Sequence, residues 1–180
     1  MKQNIAMENL NKAFELFEKY PQHGTFDADI PKEEELIRKV EATLDVSFTP
    51  SYYQFLKKYG CVDFFGDEYY GIWKKDADGN SGSEVIRMTL DYRNQYGLPY
   101  QYIIVGNSGY GPLDAIDTSK PDEHGECPVV MIDGPYKNPD TGEKKEWYEM
   151  EQMAPDFGTY LYNQSKAALQ NSIDSGEVEA

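Results

Sequence analysis

Tyr102 to Ser119 reads YIIVGNSGYGPLDAIDTS: a short apolar run, a loop dense in glycine, and a second run in which apolar and polar side chains alternate. Gly106, Asn107, Ser108 and Gly109 approach the G-x-S-x-G nucleophile elbow, which holds a serine on a strained strand-to-helix turn. Tyr110 stands where the second glycine is required, and the segment after Pro112, with Leu113 and Ala115 to Asp117, reads as a strand where an elbow must open a helix. The stretch therefore predicts strand, turn, strand. Its glycines supply positive backbone dihedrals or a close approach between chains.

Upstream the hydrophobic period is helical. Leu10, Ala13, Phe14 and Phe17 fall at i, i+3, i+4 and i+7 and form one apolar face, ended by Tyr20-Pro21. Pro31 opens a second helix, with Glu33, Glu34 and Glu35 at the positive end of its macrodipole and Leu36, Ile37, Val40 and Leu44 on its buried stripe. A third starts with Thr49 as N-cap and Pro50 at the first helical position, carries Tyr52, Phe55, Leu56 and Tyr59 inward, and stops at Gly60. From Val62 the period becomes that of strands: Val62 to Phe65, Tyr69 to Trp73, Val85 to Met88, Tyr102 to Val105, Leu113 to Asp117, Val129 to Ile132 and Trp147 to Met150. A short helix, Thr89 to Tyr96, capped by Thr89, interrupts them. The last helix runs Asp156 to Leu169, and the polar end beyond Asn171 reads as frayed. This order predicts an α+β fold: a mostly antiparallel sheet with N-terminal and C-terminal helices packed against it.

A chain of 180 residues suits one domain with a real core. Its 32 acidic against 17 basic residues leave a formal charge of −15, which repels phosphate backbones and argues against nucleic-acid binding, while favouring encounter with a basic partner. Cys61 and Cys127 lack any C-x-x-C spacing, so two reduced, buried thiols are expected. No apolar run reaches the roughly 20 residues of a membrane span, and the N-terminus lacks the apolar core of a signal peptide. A cytoplasmic protein is expected.

The chemical motifs are incomplete. Asp76, Asp78, Asn80 and Glu84 cluster oxygen donors, but counting from Asp76 an EF-hand would need glycine at Ser81 and glutamate at Arg87, so a hairpin loop is the better reading. Pro139-Asp140-Thr141-Gly142 is a turn by itself. His23 and His124 sit in loops without metal-ligand spacing, and neither a metal nor a cofactor site is indicated. The pattern of Gly106, Gly109 and Gly111 precedes a strand and meets neither dinucleotide nor P-loop requirements. What remains is a surface rich in tyrosine and carboxylate. DFFGDEYYGIW (63–73) and YRNQYGLPYQY (92–102) mix the two where strand alternation sends some side chains outward. Asp67, Glu68, Tyr69, Tyr70, Asp91 and Tyr92 are therefore the expected partner-binding residues.

The order of these blocks resembles the SUKH superfamily, the Smi and Knr-like domains of bacterial immunity proteins. The resemblance rests on the helix from Pro31 to Leu44, FTPSYYQFLKKYG (48–60), IIVGNSGYGPLDAID (103–117) and MAPDFGTYL (153–161). It implies a SUKH-like domain over 29–171, an N-terminal helical extension over 1–28 and a flexible tail over 172–180. It also implies a role without catalysis, as a cytoplasmic antidote that binds and neutralises a cognate protein toxin, often a nuclease. A small hydrolase using the Ser108 loop and a regulatory protein-binding scaffold of the same fold are the competing readings.

Overall fold

The computed structural model describes residues 4–26, 33–73, 84–107, 111–137 and 140–178. Helix α1 (Ile5–Lys19) starts at Asn4, whose side chain accepts from the Met7 N–H, and buries Ala6, Leu10, Ala13, Phe14 and Phe17. Its face meets the C-terminal helix α5 (Phe157–Asp174), capped by Asp156, whose carboxylate accepts from the Thr159 N–H at 2.6 Å. The crossing is close because Gly158 has no side chain; a Cβ there would lie 2.0 Å from the Ala6 carbonyl oxygen. Two more helices, α2 (Glu34–Leu44) and α3 (Pro50–Lys58), add Ile37, Val40, Tyr52, Phe55 and Leu56 to the same core.

Seven strands form one antiparallel sheet: β1 (Gly24–Phe26), β2 (Val62–Phe64), β3 (Asp67–Tyr69), β4 (Tyr102–Asn107), β5 (Leu113–Asp117), β6 (Val129–Asp133) and, at the far edge, β9 (Tyr148–Ala154). A separate two-stranded ribbon, β7 (Tyr136–Lys137) with β8 (Lys144–Lys145), lies between β6 and β9 in the chain. Alternation along β4 divides the interior. Ile103 and Val105 join the cluster under the helices, whereas Tyr102 and Ile104 join a second cluster with Leu113, Ala115, Val130 and Ile132. The two strands expected in the opening stretch are the observed β4–β5 pair, with Tyr102 opposite Asp117, and the turn expected between them falls at 108–110, outside the described residues.

Four local expectations need correction. Val85 to Met88 is not a strand; it is the first half of α4 (Glu84–Tyr96), which continues through Thr89. Thr89 does not cap a helix, because its hydroxyl faces the sheet and accepts from the Ile104 N–H at 3.2 Å. Val85, Thr89 and Tyr92, at i, i+4 and i+7, read as one helical row once Thr89 is not taken as a boundary. Strand β3 ends at Tyr69 instead of beginning there. Finally, α5 runs to Asp174, beyond the expected frayed end at 171, and buries Ser172.

Thr49 occupies the N-cap position of α3 yet makes no capping hydrogen bond, and its buried hydroxyl has no partner. A residue 75 positions from Ser51 fills the role: Glu126, 2% exposed, accepts from the Ser51 N–H at 2.8 Å and from the Ser51 hydroxyl at 2.7 Å. The same hydroxyl accepts from the Gly158 N–H at 3.2 Å, so one carboxylate ties the starts of α3 and α5 to the loop before β6. Burial raises the Glu126 carboxyl above its ordinary value, and the Ser51 hydrogen bonds pull it back. Both Cys61 and Cys127 are buried and neither forms a disulfide.

Removing this carboxylate leaves buried donors unmet. Glu126→Ala is expected to lower the unfolding free energy by about 3 kcal/mol in urea titration, from two hydrogen bonds to a charged group. Glu126→Gln, which still accepts, recovers part of that loss.

Candidate functional site

Strands β2 and β3 are joined by a two-residue turn, Phe65 at φ 52° and Gly66 at φ 86°. Consecutive left-handed residues give the hairpin twist that matches the strands, and Asn-Gly is the usual choice. A phenylalanine in the left-handed region is unfavourable. Phe65 is held there by its surroundings: its ring stacks on His23 at 4.6 Å and meets Phe64 edge-on at 4.7 Å, and its N–H donates to the His23 carbonyl at 2.8 Å. His23, expected in a loop, thus packs on this turn. The hairpin carries Asp67 and Glu68 outward, with Glu68 directly opposite Asp63 across the ladder, a repulsive cross-strand pair.

Behind the hairpin lies a cavity of about 280 Å3 between β3, β5 and α5. Tyr69, Tyr160, Met131 and Met153 give it apolar walls, and Asp67, Glu68 and Asp114 line it with carboxylates. Asp114 stands on β5 opposite Gly106, and its Oδ2 accepts from the Tyr160 hydroxyl at 2.7 Å. This pair needs a glycine beside it, because a Cβ on Gly106 would sit 2.8 Å from the Tyr160 hydroxyl oxygen. Among the described residues no lysine, arginine or histidine lines the cavity. Burial raises the carboxyl of Asp114, the Tyr160 hydrogen bond opposes that rise, and Asp67 adds repulsion. Partial desolvation raises Asp67 as well, with Asp63 adding to it. Burial holds the Tyr160 hydroxyl well above the ordinary phenol value, so it stays a donor.

A contrasting acidic group lies across the sheet. Lys120 sits 2.9 Å from Asp117 Oδ2 and 2.8 Å from Glu149 Oε1, and Glu149 also accepts from the Tyr102 hydroxyl, whose pKa burial pushes up to about 12. There the carboxylates have a cation; in the cleft no described residue supplies one.

The six residues expected to bind a partner are dispersed. Asp67 and Glu68 are exposed on the cleft. Tyr69 and Tyr70 are not surface anchors: they are 1% and 7% exposed and enter the two opposite core clusters. Strand β3 is interior, flanked by β2 and β4, and its burial changes along its length: Asp67 and Glu68 are exposed, whereas Tyr69 is buried. Asp91 and Tyr92 lie half-buried on α4, away from the cleft; the Tyr92 ring packs on Tyr96 at 5.3 Å and edge-on to Trp147 at 5.9 Å. The sequence reading missed Asp114 and Tyr160. An aspartate amid the apolar alternation of Leu113, Ala115 and Ile116 was the available signal, since aspartate is depleted in strands.

Ser108 and the oxygen-rich stretch from Asp76 to Ser83 lie outside the described residues. Among the described residues no group of His, Cys, Asp or Glu could hold a metal ion, and no helix is long and apolar enough to cross a membrane.

A family model of the SUKH group, described as SMI1-KNR4 cell-wall, matches residues 10–165, from inside α1 to inside α5. No curated protein matches the chain.

Raised carboxyls have a definite linkage sign. Asp114 and Asp67 bind protons more readily folded than unfolded, so their charged forms penalise the native state at neutral pH and the penalty is released as pH falls through the folded-state values. Asp114→Asn is therefore expected to raise Tm at pH 7, by roughly 2–4 °C for a chain of this size. The gain should shrink toward about pH 4, as read by thermal melts across that range.

Proposed function

The chain belongs to the SUKH superfamily, in the family described as SMI1-KNR4 cell-wall, and on that premise we propose that it is an immunity protein: it binds a cognate, basic protein toxin and blocks it without catalysis. The observation that carries this reading is the cleft at the β2–β3 hairpin, lined by Asp67, Glu68 and Asp114 with no basic residue among its described lining residues. In a chain of net charge −15, such a site steers a cationic partner and places acids where its charges can be met. A nuclease fits the partner side, because a surface that holds a phosphate backbone is itself basic. A standard interface of about 1,600 Å2 would extend well past the cleft. Exposed acids around it would set the association rate more than the lifetime of the complex.

The test is co-expression with the products of the adjacent reading frames, followed by sizing chromatography of each pair. Protection of the cells and co-elution are expected; death of the cells with no complex would sink the proposal. Asp67→Lys combined with Glu68→Lys should slow association about tenfold and flatten its salt dependence, with a much smaller change in dissociation.

A further inference from the structure

The cleft has a more specific shape than an acidic face requires. We propose that it is a socket for one lysine or arginine side chain of the partner, whose stem lies between Tyr69, Met131, Met153 and Tyr160 and whose charged head meets Asp114 and Asp67. This deepens the immunity reading and rests on it for the identity of the partner.

Four observations converge on that occupant. The volume, about 280 Å3, is below the roughly 300–1,000 Å3 of sites that enclose a drug-sized ligand, and suits a single side chain. Its lining combines the Met131 and Met153 side chains and the Tyr69 and Tyr160 rings with carboxylates, the two kinds of surface that an aliphatic stem with a charged head satisfies together. The acids are unmatched: Tyr160 uses only Oδ2 of Asp114, and no described residue donates to Asp114 Oδ1, Asp67 or Glu68. Their spacing excludes the simplest alternative, since no group of three such ligands among the described residues could hold a metal ion. Ammonium and guanidinium groups tolerate that spread, because each presents several N–H donors on a head larger than a bare ion. The Tyr160 hydrogen bond fixes the Asp114 carboxylate before any ligand arrives, which reduces the ordering that binding requires.

The experiment uses the whole chain, labelled at methionine methyl groups, with n-butylguanidinium and n-butylammonium as probes and n-butanol as the neutral control. Saturable shifts of the Met131 and Met153 methyls are expected with both cations at millimolar concentration and not with butanol. Asp114→Asn should weaken the response at least tenfold. Gln164→Lys, which plants an amine at the lining of the cleft, should abolish it and raise Tm; this arm decides the matter if the asparagine variant fails to fold. The socket is overturned if butanol acts equally, if Asp114→Asn binds as tightly, if calcium gives the same shifts at lower concentration, or if no methyl responds. Methyl shifts in a protein that gives no protection would leave the socket and remove the immunity reading. Protection and complex formation without any methyl response would do the reverse.

Discussion

The fold depends on one buried carboxylate. Glu126 accepts from both the backbone and the hydroxyl of Ser51, and that hydroxyl in turn accepts from the Gly158 N–H. Two helix N-termini, whose first N–H groups have no partner within their own helices, are thereby satisfied by a loop distant in sequence. The loop is itself set for this: Asp122 Oδ1 accepts from the N–H groups of His124 and Glu126 at 2.8 and 2.9 Å. Burying the charge is costly, as its raised carboxyl shows, and only complete hydrogen bonding offsets that cost.

With α3 and α5 held together, α5 lies across the sheet and its Tyr160 reaches β5. Gly106, one of the glycines that first invited an active-site reading, leaves the room in which the Tyr160 hydroxyl meets Asp114. The same region therefore serves scaffold and cleft at once. On the other side of the cleft, the β2–β3 turn keeps Phe65 in a left-handed conformation by stacking it on His23. That contact positions Asp67 and Glu68 despite the repulsion between Glu68 and Asp63. The candidate site is thus assembled from groups that individually disfavour the folded state, which is where binding sites commonly concentrate such costs.

Legibility varied with the range of the interaction concerned. Helices α1 and α3 were readable because their apolar spacing and the Pro50 start are local facts. Val85 to Met88 was misread because β-branched residues and a plausible cap at Thr89 are local facts too, and there tertiary packing overrode them. The acids of the hairpin were legible from strand alternation, but the burial of Tyr69 and Tyr70 was not, since an edge strand and an interior strand share the same alternating pattern.

By itself the sequence determined the α+β class, the two strands within Tyr102 to Ser119, the net charge of −15 and the resemblance to SUKH domains. These follow from period, composition and motif order, all of which are written along the chain. Only the tertiary structure decided that Glu126 caps α3 in place of Thr49, that Asp114 pairs with Tyr160, and that the unmatched carboxylates surround one cavity. Each of those joins residues 46 to 75 positions apart, or gathers side chains from several strands and a helix. Spacing along a sequence carries information about neighbours on one element, and none about which distant element will be folded against it.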